Sequence, residues 1–301
     1  MVTGASAGLG REMALEVART YGGNLLLVAR RRERLEALAD KLQTECGVLA
    51  KALPADLSSP QGVEACFQAA CAQEGFKTAL LNAGVTYWGH LREQSLENLD
   101  NLLATNVLAP AQLALRFAQH FARQGGGRLL LVSSVAGFSP MPMQSSYGAS
   151  KAFLTSFGQG LRHEFRKDKV QVTVFAPGGI DTELLDISGL GKKFKPGTAG
   201  IMPAPQCARL ALRGLCANKR LVVPGLSNRL LVFLMRHFPP PSLCPSLPAS
   251  TANLRPLSLC TLEKKSAALP SMLNPRPCVL YAAQAFWLVC CFPSKAMLSP
   301  D

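Results

Sequence analysis

Short apolar runs alternate along the chain with longer stretches in which apolar side chains recur every three or four positions. Leu25-Leu26-Leu27-Val28-Ala29 is one such run, bounded by Gly22-Gly23 before it and Arg30-Arg31-Arg32 after it. Further runs fall at 48–53, 78–81, 128–132, 170–175 and 221–223. Continuous apolar segments of this length read as strands buried on both faces. Between them, Met13, Leu15, Val17 and Ala18 mark one helix, and Leu35, Leu38 and Leu42 mark another. More helices are expected at 59–73, 99–123, 147–166 and 205–217, with Ser58 and Ser59 ahead of Pro60 as a cap. Strands separated by helices of this length imply parallel βαβ units with right-handed crossovers, an α/β fold. No proline interrupts 147–166, although Gly158 and Gly160 either weaken its middle or let another element, such as a second subunit, approach closely.

The periodicity stops at Pro239. Pro239-Pro240-Pro241 opens a segment rich in Pro, Ser, Leu and Cys, and Pro245, Pro248, Pro256, Pro270, Pro275 and Pro277 follow. That proline density excludes most regular structure, so 239–301 is expected to be a disordered or weakly packed tail behind a domain spanning 1–238. Two apolar stretches bear on membranes. Residues 229–236 enclose Leu-Leu-Val-Phe-Leu-Met between two arginines, which suits either a bilayer interface or packing on the domain. Residues 278–292 are interrupted by Gln284 and fall short of the roughly 20 that a spanning helix needs. The expected location is cytoplasmic, with peripheral membrane association as the alternative.

Composition narrows the partners. The 301 residues, 48% of them hydrophobic, suffice for a large core. A formal net charge of +13 would suit nucleic acid, but the basic residues are spread over helix positions and the tail without a nucleic-acid motif. No nucleic-acid partner is expected. The ten cysteines lack a metal-binding spacing, and His90, His120, His163 and His237 share none, so no metal is expected. Cys46, Cys66 and Cys71 read as small apolar packing in a reducing compartment.

Candidate chemistry lies in two places. Tyr147-Gly148-Ala149-Ser150-Lys151 begins thirteen residues after Ser134. On a helix, Tyr147 and Lys151 share a face, and the ammonium would favour the phenolate, lowering a pKa that is ordinarily about 10. A tyrosine so tuned can pass a proton to or from an alcohol or carbonyl oxygen, and a serine hydroxyl converging on that oxygen would hold it. A Tyr and a Lys four apart also commonly mark no more than a solvated helix face. The second place is Thr3-Gly4-Ala5-Ser6-Ala7-Gly8-Leu9-Gly10, a glycine-rich turn feeding the first helix. Its backbone N–H groups and the helix N-terminus suit a pyrophosphate. After the strand that follows, an acid would bind a ribose 2′-hydroxyl and an arginine would accommodate a 2′-phosphate. The chain offers arginine there, so Arg30 points to NADP(H) ahead of NAD(H), while Arg32 and Arg34 read as the solvated start of a helix.

Thr3-Gly-x-x-x-Gly-x-Gly10, Asn82-Ala83-Gly84, Asn106, Ser134, Tyr147-x-x-x-Lys151 and Pro177-Gly178-x-Ile180-x-Thr182, in this order, resemble the short-chain dehydrogenase/reductase family, classical type. The resemblance covers about 1–238 and implies a Rossmann-like, doubly wound parallel sheet in a three-layer αβα arrangement. It also implies that Tyr147 is the general acid/base and that Lys151 lowers its pKa and binds the nicotinamide ribose. Ser134, rather than Ser133, has the family's spacing to the tyrosine, and Asn106 matches the asparagine that holds a water in the proton relay. The cofactor contacts implied are Thr3, Gly4, Ser6, Gly8, Leu9, Gly10, Arg30, Asp56, Leu57, Asn82, Ala83, Gly84, Tyr147, Lys151, Pro177, Gly178, Ile180 and Thr182. Within that set, Asp56-Leu57 resembles the pair beside the adenine, and 177–182 the segment at the nicotinamide amide. A homodimer or homotetramer is expected.

One departure from that pattern stands at the start. Met1-Val2-Thr3 leaves almost no residues for the strand ahead of the glycine turn, which is central in such a sheet. The expectation is a truncated first strand, arising either from a start lying upstream or from a defective sheet with a poorly anchored cofactor loop. Two functions follow. The first is an NADP(H)-dependent oxidoreductase interconverting a carbonyl and a secondary alcohol on an apolar small molecule, lipid or steroid-like, with 183–203 as a lid supplying Leu184, Leu185, Ile187 and Leu190. The alternative is a catalytically impaired or non-catalytic nucleotide-binding module that keeps the motifs without a competent sheet.

Overall fold

The computed structural model describes residues 1–183 and 201–237. Seven parallel strands form the main sheet in the order β3-β2-β1-β4-β5-β6-β9. They are β1 (Val2–Thr3), β2 (Leu25–Ala29), β3 (Ala50–Pro54), β4 (Thr78–Leu81), β5 (Gly127–Val132), β6 (Val170–Phe175) and β9 (Leu221–Val222). A separate parallel pair joins β7 (Gly179–Asp181) to β8 (Ile201–Pro203). The helices are α1 (Gly8–Tyr21), α2 (Arg32–Cys46), α3 (Pro60–Cys71), α4 (Leu96–Leu103), α5 (Ala109–Arg123), α6 (Ser145–Glu164), α7 (Ala204–Cys216) and α8 (Leu226–His237).

The strands are mostly apolar because both faces of the sheet are covered. Along β2, Leu25 and Leu27 join Met13 of α1, Leu35 of α2 and Leu212 of α7 in one core, whereas Leu26 and Val28 join Val63 of α3, Phe117 of α5 and Leu154 of α6 in the other. Each such side chain contributes about 1.5–3 kcal/mol by leaving water. Phe117 is completely buried and lies 5.1 Å from Phe76 and 5.4 Å from Phe67, ring centre to ring centre. Ser59 caps α3 as expected, accepting a hydrogen bond from the Gly62 N–H at 3.1 Å.

The first strand is short, as expected, with only Val2 and Thr3 in β1, yet the sheet is continuous through it, so the alternative of a defective centre is not what forms. Val2 pairs with Leu27 on one side and Leu80 on the other, and Thr3 pairs with Val28. The Met1 carbonyl accepts the Leu80 N–H at 2.9 Å, and the Met1 amino group donates to Thr78 at 2.9 Å. A second correction concerns 99–123, expected as one helix. It divides into α4, a π-helical turn over Ala104–Leu108, and α5. Pro110 lies in the first turn of α5 and has no N–H to give the carbonyl four residues before it, so the regular ladder cannot run through this point.

In α8, Val232 is buried and the Arg236 guanidinium stands 5.2 Å from the Phe138 ring centre, while Leu226, Leu230 and Phe233 face solvent. Among the described residues no helix is long and apolar enough to cross a membrane. The tail expected at 239–301, and Leu184, Leu185, Ile187 and Leu190, lie outside the described residues.

The two glycines of α6 have different reasons. A Cβ on Gly158 would stand 2.6 Å from the Val174 Cγ2 of β6, so this glycine lets the helix approach the sheet, whereas a Cβ on Gly160 would meet nothing within 4 Å. Gly160→Ala should therefore stabilise the protein by about 0.5–1 kcal/mol through helix propensity. Gly158→Ala should destabilise it by about 1–3 kcal/mol through overpacking, despite the same gain in propensity. Urea midpoints of the two variants shifting in the same direction would contradict this assignment.

Candidate active site

The glycine-rich turn is shaped by what stands behind it. Gly4 and Gly8 adopt left-handed φ values of 68° and 52°, open to glycine at little cost. A Cβ on Gly10 would collide with the Gly4 carbonyl. Thr3, at the end of β1, is 1% exposed, and its hydroxyl accepts the N–H groups of Asn82 at 2.9 Å and Ala83 at 3.0 Å. Asn82 returns a bond from Nδ2 to the Thr3 carbonyl at 3.1 Å. The turn after β4 is thereby fastened to the turn after β1.

Around the edge of this turn the basic residues differ from the sequence reading. Arg30 is exposed, and its charge helps hold the Asp56 carboxyl below its ordinary value, behind the larger effect of the Ser58 N–H and hydroxyl. Arg31, which pattern alone did not single out, reaches Ser6 Oγ through Nε at 3.3 Å and Nη2 at 3.2 Å. Arg34 is exposed on the first turn of α2, as expected, and also lines a cavity of about 420 Å³ with Ser6, Ala7, Gly8 and Lys41. Arg32 does pair along the helix surface with Glu36 at 3.4 Å. Leu57 packs into the core with Met1 and Val28, and Asp56 accepts from Ser58 N at 3.0 Å and Ser58 Oγ at 2.9 Å.

The tyrosine and its neighbours converge from three elements. Tyr147 is half-buried on α6, and the Lys151 Nζ, one turn on, lies 5.6 Å from its ring centre. Lys151 is 4% exposed and donates to the Val132 carbonyl at the end of β5, 3.1 Å away. Ser134 stands beside the Tyr147 phenol; its hydroxyl accepts the Ala136 N–H at 3.2 Å and donates to the Pro177 carbonyl at 3.4 Å. Ser133, by contrast, turns into α6, where its hydroxyl bonds the Lys151 carbonyl and Thr155 Oγ1, each at 2.7 Å. The adjacent serine is thus consumed by the scaffold.

Asn106 occupies the π-helical turn and is fully buried. Its amide exchanges two 2.8 Å bonds with the Val85 backbone and donates to Ser150 Oγ of α6 at 3.2 Å. Pro110, another residue the pattern did not single out, denies the Asn106 carbonyl its i+4 N–H partner, which suits that oxygen to a water. Gly84 separates Asn106 from Lys151: a Cβ there would stand 3.2 Å from Asn106 Oδ1 and 3.4 Å from Lys151 Nζ. The space it leaves open lies between two polar groups.

Residues 177–182 close the far side. The Pro177 carbonyl accepts the Val135 N–H at 2.9 Å, a Cβ on Gly178 would stand 2.7 Å from Asn228 Nδ2 of α8, and Ile180 packs against the core. Thr182 reaches the glycine turn, its Cγ2 3.1 Å from where a Gly8 Cβ would be. Glycine turn, serine, tyrosine, lysine and this segment therefore form one contiguous site at the carboxyl ends of the strands.

The family model described as short chain dehydrogenase matches residues 1–189. The chain belongs to the short-chain dehydrogenase family. It is 30% identical over 254 residues to 11-beta-hydroxysteroid dehydrogenase-like 4A of Arabidopsis thaliana, covering 82% of this chain and 81% of that one. Among solved structures, a short-chain dehydrogenase from Sphingobium yanoikuyae in complex with NADPH superposes with a TM-score of 0.71 at 32% identity, covering 76% of this chain and 89% of that one. A bulky-bulky ketone specific alcohol dehydrogenase from Comamonas testosteroni gives a TM-score of 0.67 at 29% identity, over 75% and 85% of the two chains.

The electrostatics of this short-chain dehydrogenase site depart from the sequence expectation in one respect. Burial raises the Tyr147 phenol above its ordinary value, with the neighbouring Ser134 hydroxyl pulling the other way. Burial also pushes Lys151 down to about 8. Above pH 8 and up to the ordinary lysine value of about 10.5, the unfolded chain holds a proton that the folded one does not, so stability rises with pH across that window. Below it, the buried ammonium costs stability. Lys151→Met should therefore be the more stable protein at pH 7, by on the order of 2 kcal/mol after the lost Val132 bond is counted. Its advantage should shrink as pH rises from 8 to 10.5, and an advantage growing over that range in urea titrations would contradict the buried-charge account.

Proposed function

We propose that this chain is an NADP(H)-dependent oxidoreductase interconverting a carbonyl and a secondary alcohol on an apolar substrate. The observation that carries it is the convergence of Ser134, Tyr147, Lys151 and Asn106 beside a glycine turn that leaves backbone room at the start of α1. The residues fit the nucleotide. Gly4 and Gly8 allow the left-handed turn ahead of α1 and Gly10 its close packing on Gly4, Gly84 leaves a gap beside Lys151, and Ser6 with Arg31 offers a hydroxyl and a guanidinium suited to a 2′-phosphate. The Sphingobium protein in complex with NADPH supports the same preference. NAD(H) remains the comparison cofactor.

When bound, the nicotinamide supplies or accepts hydride; the chain's own residues handle the proton. Tyr147 rests as a neutral phenol because burial raises it, which is the form that gives a proton to a carbonyl oxygen. Ser134, fixed by Ala136 and Pro177, is placed to hold that oxygen by a hydrogen bond. Lys151 uses one of its three donors on Val132 and keeps two for a ribose and for the proton path behind the tyrosine. Asn106 holds the Val85 segment, and its carbonyl, free of an i+4 partner, is suited to a water that refills Tyr147. The ketone-specific relative and the hydroxysteroid dehydrogenase-like relative support a bulky, apolar substrate such as a steroid-like ketone.

Fluorescence titration should show NADPH binding tighter than NADH, and reduction of a panel of bulky ketones should follow. Tyr147→Phe should retain NADPH binding while turnover drops about a hundred- to ten-thousandfold. Equal turnover by Tyr147→Phe would remove the tyrosine from this role, and tighter binding of NADH would overturn the cofactor preference.

A further inference from the structure

Glu183 follows Thr182 directly, and its carboxylate lies across the two arginines at the mouth of the glycine turn. Oε2 stands 3.2 Å from Arg31 Nη1, and Arg34 Nη1 spans both oxygens at 2.8 and 3.0 Å. Arg31 is shared, since its Nε and Nη2 are the atoms on Ser6 Oγ. Among the described residues lining the adjacent cavity, Glu183 is the only acid, beside Arg11, Arg34 and Lys41. It is therefore the counterion of a basic recess built by the glycine turn and α2.

We propose that Glu183 sets the discrimination between nucleotides with and without a 2′-phosphate, by holding Arg31 and Arg34 with its own carboxylate until a phosphate replaces it. The proposal rests on the NADP(H) reading above. A phosphate reaching Ser6 and Arg31 arrives at the guanidinium that Glu183 occupies, and two anions cannot share it without repulsion. The phosphate, with charge near −2 and three acceptor oxygens, wins that exchange. The exchange is also cheap. The side chains of Arg31, Arg34 and Glu183 are 43%, 48% and 50% exposed, and ion pairs this wet contribute little to stability. A nucleotide lacking the 2′-phosphate meets no such competition and leaves Glu183 in place. The carboxylate thus weakens binding of the phosphorylated nucleotide by the strength of its own hold on Arg31.

The test is Glu183→Gln, which removes the charge and keeps the shape, read by calorimetric titration with 2′,5′-ADP and with 5′-AMP at low salt. Neither probe requires turnover. The expected result is that the variant binds 2′,5′-ADP about three- to tenfold tighter than the wild type does, while 5′-AMP changes by less than about twofold. Unchanged or weaker 2′,5′-ADP binding would show that Glu183 organises Arg31 rather than competing for it, and would overturn the proposal. Equal tightening of both probes would overturn it too, since the effect would not be specific to the 2′-phosphate. Wild-type protein that binds both probes alike would refute the NADP(H) reading itself, a failure visible before the variant is examined.

Discussion

The site hangs on the hydroxyl of Thr3. Sitting at the end of the central strand, it accepts two backbone N–H groups from the turn after β4, and Asn82 from that turn binds back to the Thr3 carbonyl. Thr3 is buried and the bonds are largely out of water, where an unmade one would cost about 1 kcal/mol or more, so the two turns hold a fixed relation. That relation is what the function uses. The strand order 3-2-1-4 reverses between β1 and β4, and a parallel sheet leaves a crevice outside the strand ends at such a point. The glycine turn forms one wall of the crevice and Asn82-Ala83-Gly84 the other.

From this anchor the catalytic half is reached through the sheet rather than through loops. β5 ends at Val132, whose carbonyl takes the Lys151 ammonium, and the chain then turns to Ser134, itself bound to the Pro177 carbonyl beyond β6. Every group that would touch a substrate oxygen is therefore within a residue or two of a strand end or on α6. Positions so supported are held more narrowly than positions on free loops. The arrangement costs stability at the desolvated ammonium of Lys151, which pairs with no carboxylate among the described residues. A group left in that condition signals function more than folding.

Much of this was legible in the sequence. The strands at 78–81 and 170–175 and that at Leu25–Ala29 coincide with their apolar runs, because a strand covered on both faces is apolar at most positions. The Tyr147 and Lys151 pairing followed from helical spacing alone. What was not legible depended on context. The first strand is too short to show periodicity, and its existence rests on partners 25 and 78 residues away in the chain, Leu27 and Leu80. The π-helical turn needed the relation between Asn106 and Pro110 to be read as a defect in a ladder rather than as a proline at a helix start. Likewise, five consecutive positions carrying four arginines and a glutamate do not reveal which side chain turns inward; that follows from α2 starting at Arg32, with Arg31 still extended at φ −83° and ψ 96°.

The two adjacent serines show that simple parity carries more than it was asked to. Along β5, Leu129 and Leu131 belong to the core under α6, and Leu130 and Val132 to the core on the opposite face. Alternation continued past the strand end places Ser133 with Leu131, toward α6, and Ser134 with Val132, away from it. The hydrogen bonds of Ser133 agree, since it is bound to Lys151 and Thr155 within α6, whereas Ser134 meets the phenol of Tyr147, which α6 itself carries past the strand end. Parity thus accounts for the scaffold role of Ser133, while the choice of Ser134 rests on its spacing to the tyrosine. Parity also constrains the chemistry, because the same alternation that sends Ser133 into the scaffold fixes the backbone from which Val132 offers its carbonyl to Lys151. One strand thus sets the serine, the lysine and, through α6, the tyrosine, and a shift of register in β5 would displace all three together.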